Sequence, residues 1–130
     1  MDITKIEIHT MKLADLDEIK ELVNNNSSYL VLRYDNKIVG YGGIKIILDE
    51  AELMNIVTKK DKRNMGFARL ILNELIEISK EHNCSKLNLE VNEKNSAAIH
   101  LYELFDFKQV GLRKQYYNGK DNAILMTLDL

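Results

Sequence analysis

The chain contains no proline, only one cysteine and only six glycines. Without proline, and without a Gly/Ser-rich or low-complexity tract, nothing reads as a linker, so a single domain is expected over residues 1–130. A lone Cys84 cannot form an internal disulfide. No stretch approaches 18 consecutive apolar residues, which argues against a membrane-spanning helix. The opening Met1-Asp2-Ile3-Thr4-Lys5-Ile6 alternates polar and apolar residues where a secretory signal would carry an apolar run. A cytoplasmic protein is therefore expected. Charge of neither sign dominates: 18 basic against 20 acidic side chains leave a net charge of −2. That balance gives no general attraction to nucleic acid or to anionic lipid. What is present is ordinary for a globular protein, with 45% hydrophobic and 29% charged residues. A chain of this length buries roughly 68% of its unfolded surface, enough for a core without disulfides or a structural metal.

Hydrophobic periodicity gives the element order βαβββαβαββ. Ile6 and Ile8 mark a first strand, and Leu13, Leu16, Ile19 and Leu22-Val23 have helical spacing up to the polar run Asn24–Ser28. Tyr29 to Tyr34 and Lys37 to Ile47 flank Asp35-Asn36, a pair that tolerates positive φ, and so form a hairpin. Ala51 to Thr58 reads as a strand, and Gly66 to Glu81 as an amphipathic helix carrying Phe67, Leu70, Ile71, Leu75 and Ile78 on one face. Lys86 to Val91 alternates as a strand, and Asn95 to Phe105 is a short helix. Phe107 to Leu112 and Ala123 to Leu128 close the chain as strands. Strand runs broken by single helices predict a mixed α/β sheet with helices on both faces, and a parallel right-handed crossover from Thr58 to Lys86. Gly40-Tyr41-Gly42-Gly43 reads as strand with a bulge or a close backbone approach.

The segment richest in chemistry is Lys59-Lys60-Asp61-Lys62-Arg63-Asn64-Met65-Gly66-Phe67-Ala68, which leaves a strand and opens a long helix. Gly66 is the only glycine between Gly43 and Gly111, so its place at this junction is specific. Glycine permits unusual dihedrals and a close ligand, and the unpaired amides of a first helical turn favour phosphate. The Walker loop is excluded because Phe67-Ala68 stands where Lys-Ser/Thr belongs, and the dinucleotide fingerprint because two glycines are missing. Taken alone, residues 59–66 read equally well as a solvated basic loop.

The arrangement as a whole resembles the GNAT superfamily of acetyl-coenzyme A-dependent N-acyltransferases, whose phosphate loop reads Arg/Gln-x-x-Gly-x-Gly/Ala. Here it stands as Arg63-Asn64-Met65-Gly66-Phe67-Ala68. Asn55-Ile56-Val57, Leu89-Glu90-Val91, Asn95-Ser96-Ala97-Ala98, Leu101-Tyr102, Phe105-Asp106-Phe107, Gly111-Leu112-Arg113-Lys114-Gln115-Tyr116-Tyr117 and Ala123-Ile124-Leu125-Met126 follow the downstream pattern in order. Residues 51–130 look most like bacterial ribosomal-protein-alanine N-acetyltransferases, and residues 1–50 resemble the superfamily more loosely.

The resemblance implies a single mixed, mostly antiparallel sheet with a central parallel pair of splayed strands. It implies acetyl-CoA as cofactor, its pantetheine arm on the backbone of Ile56 and Val57. The pyrophosphate would meet the amides of Asn64, Met65, Gly66, Phe67 and Ala68, with Arg63 nearby. Asn95 matches a position that hydrogen-bonds the cofactor arm; read locally it is a helix N-cap, and both roles can hold. Tyr102 matches the general acid, although its place on an apolar stripe also suits a core tyrosine. Glu90 matches the general base of the ribosomal-protein-alanine enzymes, and Glu52, in Ala51-Glu52-Leu53-Met54, resembles the base of the histone-acetylating branch; Glu90 is favoured. Tyr116 and Tyr117 match the border of the acceptor site, with cross-strand aromatic packing as the alternative.

The acceptor expected is a protein or peptide α-amine. An α-amine near pKa 8 loses its proton at pH 7 for about 1.4 kcal/mol, whereas a lysine near 10.4 costs about 4.6 kcal/mol, so a modest base suffices for the former. A small amine acceptor, a sensor that binds acyl-CoA without turnover, and a nucleic-acid module using the basic loop are the alternatives, the last opposed by the overall acidity. A homodimer is one option for assembly. His9, His82 and His100 show no metal-ligand spacing, so no metal is expected, and Cys84 reads as a small apolar filler. Two departures from the family pattern stand out. Residues 13–29 have room for only one good helix, and Asp121-Asn122-Ala123 replaces an acidic-acidic-alanine step.

Overall fold

A computed structural model describes residues 2–18 and 28–130. The strands are β1 (Ile6–Thr10), β2 (Ser28–Tyr34), β3 (Lys37–Ile47), β4 (Glu50–Thr58), β5 (Lys86–Asn92), β6 (Lys108–Tyr117) and β7 (Asp121–Asp129). The helices are α1 (Leu13–Glu18), α2 (Phe67–Glu81) and α3 (Ser96–Leu104), and 3₁₀ turns occupy Ile3–Lys5 and Lys60–Lys62. The order of strands and α-helices agrees with the hydrophobic periodicity; the part of the expected first helix beyond Glu18 lies outside the described residues. The strands form one seven-stranded sheet in the order β1-β2-β3-β4-β5-β7-β6, in which β4 and β5 are parallel. The last hairpin is longer than its apolar alternation suggests, β6 running to Tyr117 and β7 starting at Asp121. No helix among the described residues is long and apolar enough to cross a membrane.

The chain divides into two compact units, Met1–Lys45 with Met54–Ile78, and Ile46–Leu53 with Ser79–Leu130. In the first, β1 and β2 pair antiparallel from Ile6↔Tyr34 to Thr10↔Leu30, and β2 and β3 are joined through Asp35 and Asn36, both at positive φ. A bulge between Leu32 and Arg33 shifts the register. Helix α2 presses Phe67, Ile71, Leu72 and Leu75, all buried, into this unit. Glycine on β3 makes room for it. A Cβ on Gly42 would lie 2.6 Å from Ile71 Cγ2, and one on Gly40 would lie 2.8 Å from the Val57 carbonyl oxygen.

A buried polar knot ties α1 to the first strands. Asp15, 2% exposed, accepts from the Lys12 amide at 2.8 Å, from Arg33 at 2.6 Å, and lies 2.9 Å from His9 Nε2. Arg33 also reaches Glu18 at 3.0 Å. Burial acts to raise the Asp15 pKa, but the Lys12 amide, Arg33 and His9 outweigh it and hold the carboxyl at about 2, below the ordinary 3.8.

In the second unit the parallel ladder couples Glu50, Ala51 and Glu52 to Lys86, Leu87 and Asn88, and β5 pairs with β7 along its whole length. Ala51, Leu87, Leu89, Val91, Phe107 and Met126 are buried there. Two helices stop in this unit by the same device. Cys84 N–H donates to the Ser79 carbonyl (3.0 Å) and Asn83 N–H to that of Lys80 (2.9 Å), with Asn83 at φ +58; Cys84 supplies the buried residue that accompanies such a stop. Burial, then Asp49, raises its thiol pKa, as suits an inert filler.

Candidate active site

The expected phosphate loop belongs to the first unit. Thr58 ends β4, a 3₁₀ turn spans Lys60–Lys62, and Asn64 (φ +64) and Gly66 (φ +83) bend the chain into α2. Asn64, Met65 and Gly66 are exposed, as is Arg63, while Phe67 is buried against Tyr34, ring centroids 5.8 Å apart. The first hydrogen bond inside the helix runs from Leu70 N–H to the Gly66 carbonyl at 3.2 Å. The amides of Phe67, Ala68 and Arg69 therefore precede any intrahelical acceptor. A Cβ on Gly66 would meet nothing within 4 Å, so no neighbour requires the glycine; its left-handed backbone does, and the space above stays open. Ile56 and Val57, half-buried near the end of β4, lie beyond the parallel ladder, which stops at Glu52↔Asn88.

The second unit contains Glu52, Glu90, Asn95, Tyr102, Tyr116 and Tyr117. Leu89 and Val91 are buried while the side chain of Glu90 is one-third exposed, so the alternation of β5 turns the carboxylate to the opposite face. Glu52 is exposed on the neighbouring strand. Asn95 caps α3, its Oδ1 accepting from Ala98 N–H at 3.2 Å, so the local reading of this residue is realised.

Tyr102 owes its place to the way α3 ends. Asp106 takes φ +69, its N–H donates to the Glu103 carbonyl at 3.0 Å, and Phe107 N–H donates to the Tyr102 carbonyl at 3.1 Å. This stop brings Phe107 back onto the helix, and the rings of Tyr102 and Phe107 meet at 5.7 Å. Burial first, and then Tyr117, raises the Tyr102 pKa, so the phenol keeps its proton at neutral pH.

The rings of Tyr116 and Tyr117 meet one another edge to face, their centroids 5.1 Å apart. Adjacent residues of a regular strand point to opposite faces, but β6 loses register between Arg113 and Tyr117, and Gln115 adopts φ +52. The irregularity hangs on Asn122, whose Oδ1 accepts from Gln115 N–H at 2.8 Å. Asn122 also exchanges hydrogen bonds with Glu93, its N–H donating to Glu93 Oε2 and its carbonyl accepting from Glu93 N–H, both at 3.0 Å. Beside it Asp121 takes Lys94 Nζ at 2.9 Å and Asn92 Nδ2 at 3.1 Å, contacts that lower its pKa, Lys94 foremost. The departure at Asp121-Asn122 is thus a clamp holding the tyrosine hairpin to the turn between β5 and α3. Sequence reasoning missed this role, and it missed Arg113, whose Nη2 lies 3.2 Å from Glu90 Oε1 and whose guanidinium carbon stands 5.5 Å from the centroid of the Tyr116 ring. Only the strand register brings these residues together.

The family model described as Acetyltransferase (GNAT) family matches residues 3–107. The ribosomal protein bS18-alanine N-acetyltransferase of Haemophilus influenzae is 39% identical over 79% of this chain and 74% of its own. The crystal structure of the ribosomal-protein-S18-alanine N-acetyltransferase from Escherichia coli superposes with a TM-score of 0.84 at 26% identity, covering 95% of this chain and 93% of that one. A GNAT family acetyltransferase from Elizabethkingia anophelis with acetyl-CoA bound shares the fold, with a TM-score of 0.83 at 20% identity over 97% of this chain and 99% of its own. The chain belongs to the GNAT acetyltransferase family, the acetyl-CoA-dependent N-acyltransferases.

Proposed function

We propose that this protein acetylates the α-amino group of a protein amino terminus, one beginning with alanine as in the reaction for which its relatives are named, with acetyl-CoA as donor. The observation that carries the reading is the company kept by Glu90: a carboxylate on an open strand face, tied through Arg113 to the Tyr116–Tyr117 pair, in the unit that also holds a buried, protonated Tyr102. The phosphate loop fits the donor, since the space above Gly66 is open and the amides of residues 66–68 come before the first helical acceptor. The amides of Asn64, Met65, Gly66, Phe67 and Ala68, with Arg63 nearby, would hold the pyrophosphate, and the backbone of Ile56 and Val57 the arm. When bound, acetyl-CoA supplies an acetyl group activated as a thioester.

Each residue then has a limited task. Glu90 takes the proton of the incoming ammonium, directly or through one water, a task costing only about 1.4 kcal/mol for an α-amine at pH 7. Tyr102 holds its proton at Oη and gives it up where a thiolate departs. Tyr116 and Tyr117 border the acceptor backbone, aromatic surfaces with a polar tip. Glu52 is given no step. A ribosomal-protein acceptor of the kind for which the relatives are named is consistent with a cytoplasmic enzyme.

The test is thiol release from acetyl-CoA with an Ala-starting peptide, the same peptide blocked at its amino terminus but carrying a lysine, and a panel of polyamines, amino acids and aminoglycosides. Turnover restricted to the free α-amine is expected. Turnover with small amines alone would overturn the acceptor, and tight acetyl-CoA binding with no transfer to any of them would overturn the enzyme.

A further inference from the structure

We propose that Arg113 is a positioning residue that fastens Glu90 to the tyrosine hairpin, so that the base and the border of the acceptor site form one rigid piece. The proposal rests on the reading of Glu90 as the base. Glu90 faces Leu125 on β7, Leu125 faces Gly111 on β6, and Arg113 is the next residue of β6 on the same face. Gly111 has no side chain to intrude, and a Cβ there would come within 2.9 Å of Leu125 Cδ1. Arg113 crosses that row diagonally, its Nη2 3.2 Å from Glu90 Oε1 and its Cζ 5.5 Å from the centre of the Tyr116 ring.

The two contacts use different properties of a guanidinium. Its N–H groups lie in the plane and meet the carboxylate at the edge, while its face carries the charge onto an aromatic ring. A lysine ammonium, a point charge without a face, pairs with the carboxylate but not in this double fashion. With the Arg113 side chain 55% exposed and that of Glu90 33% exposed, the pair adds little to folding. Its consequence is orientation. Tyr116 is locked in turn to Tyr117, and the irregular stretch carrying both is hung on Asn122. An acceptor lying along the tyrosines would thereby present its amine to a carboxylate whose orientation Arg113 biases toward it.

The experiment compares R113K, R113M, E90Q and E90Q/R113M with the parent enzyme, using acetyl-CoA and the Ala-starting peptide, with melting temperature as a check on folding. R113M is expected to lower kcat about tenfold by misplacing the base, with the KM for acetyl-CoA unchanged. R113K is expected to restore kcat to near the parent value but to leave the peptide KM raised about two- to fivefold, the worth of the lost stacking. The double variant is expected to be no slower than E90Q, since Arg113 acts through Glu90. Parent-like kinetics in R113M, multiplicative losses in the double variant, or an equal rise in the KM for acetyl-CoA would each overturn the proposal. Full activity of E90Q would remove the base itself and the proposal with it.

Discussion

Two residues given roles in the proposed reaction, one in each unit, are fixed by opposite means. Tyr102 is held by packing, on a helix whose final turn folds Phe107 back onto its ring. Removing its hydroxyl therefore leaves the ring contact intact and takes away only a proton. Tyr102→Phe is expected to lower kcat about 10²-fold, the usual worth of a general acid, while the Kd for acetyl-CoA and the melting temperature stay put. Parent-like turnover would make Tyr102 a core residue and nothing more. Gly66 is held by its dihedrals, with open space where a side chain would go. Gly66→Val forces a β-branched residue to φ +83 and lifts the loop from any anion seated on it. The expected strain is about 1–2 kcal/mol in denaturant titration, alongside at least a loss of about tenfold in acetyl-CoA affinity by calorimetry, the value of a charge-assisted amide contact. Affinity unchanged in a folded variant would place the pyrophosphate elsewhere.

At the scale of elements, the loop stands where α2 stands, and α2 is seated on the glycines of β3. Gly40→Ala would drive a methyl to 2.8 Å from the Val57 carbonyl oxygen and 3.0 Å from Ile71 Cδ1, and backbone cannot retreat as a side-chain tip can. We expect a loss of about 1–3 kcal/mol of stability, typical of overpacking, with a rise in the KM for acetyl-CoA that exceeds any rise in the peptide KM, because the carbonyl displaced is that of a strand residue assigned to the cofactor arm. Equal rises in both would detach this strand from cofactor binding. Much at this scale was legible beforehand. Alternating apolar residues in β5, the 3.6-residue stripe of α2, the Asp35-Asn36 turn and the tight glycines of β3 are local signals, set by periods of two and 3.6 and by the steric needs of single residues. The irregular end of β6 was not legible, because Gln115 at positive φ has no glycine to announce it and is stabilised by Asn122 seven residues on. The pairing of Arg113 with Glu90 was hidden for a similar reason. It depends on the register of three strands, which no single segment of sequence contains. The helix stops at Asn83 and Asp106 likewise use residues other than the glycine that usually marks them.

At the scale of the whole molecule, the knot around Asp15 governs how the fold answers acid. Asp15 carries a carboxyl held at about 2 against an ordinary value of 3.8, because the Lys12 amide, Arg33 and His9 favour its charged form more strongly than burial opposes it. The unfolded chain therefore takes up this proton at a higher pH than the folded chain does. The resulting stability is fully present above about pH 5 and drains away as the pH falls through about 2. At about 1.4 kcal/mol per unit the depression is worth roughly 2.5 kcal/mol, a large share of the 5–15 kcal/mol that holds an ordinary domain together. Asp2 and Asp121, also lowered, hold more exposed hydrogen bonds and add a weaker slope of the same sign. Asp15→Asn removes the titration while keeping the shape. It leaves Arg33 with Glu18 and the Asn36 carbonyl and so costs about 3 kcal/mol at pH 7, the penalty of breaking a buried pair. Urea titrations of both proteins at pH 5 and pH 2 give the comparison. The parent is expected to lose about 2 kcal/mol more than the variant over that interval, since the folded carboxyl is still half ionised at pH 2, drawing their stabilities together in acid. Parallel losses would mean that Asp15 titrates alike in the folded and unfolded chains, and that the knot holds α1 by shape without help from charge.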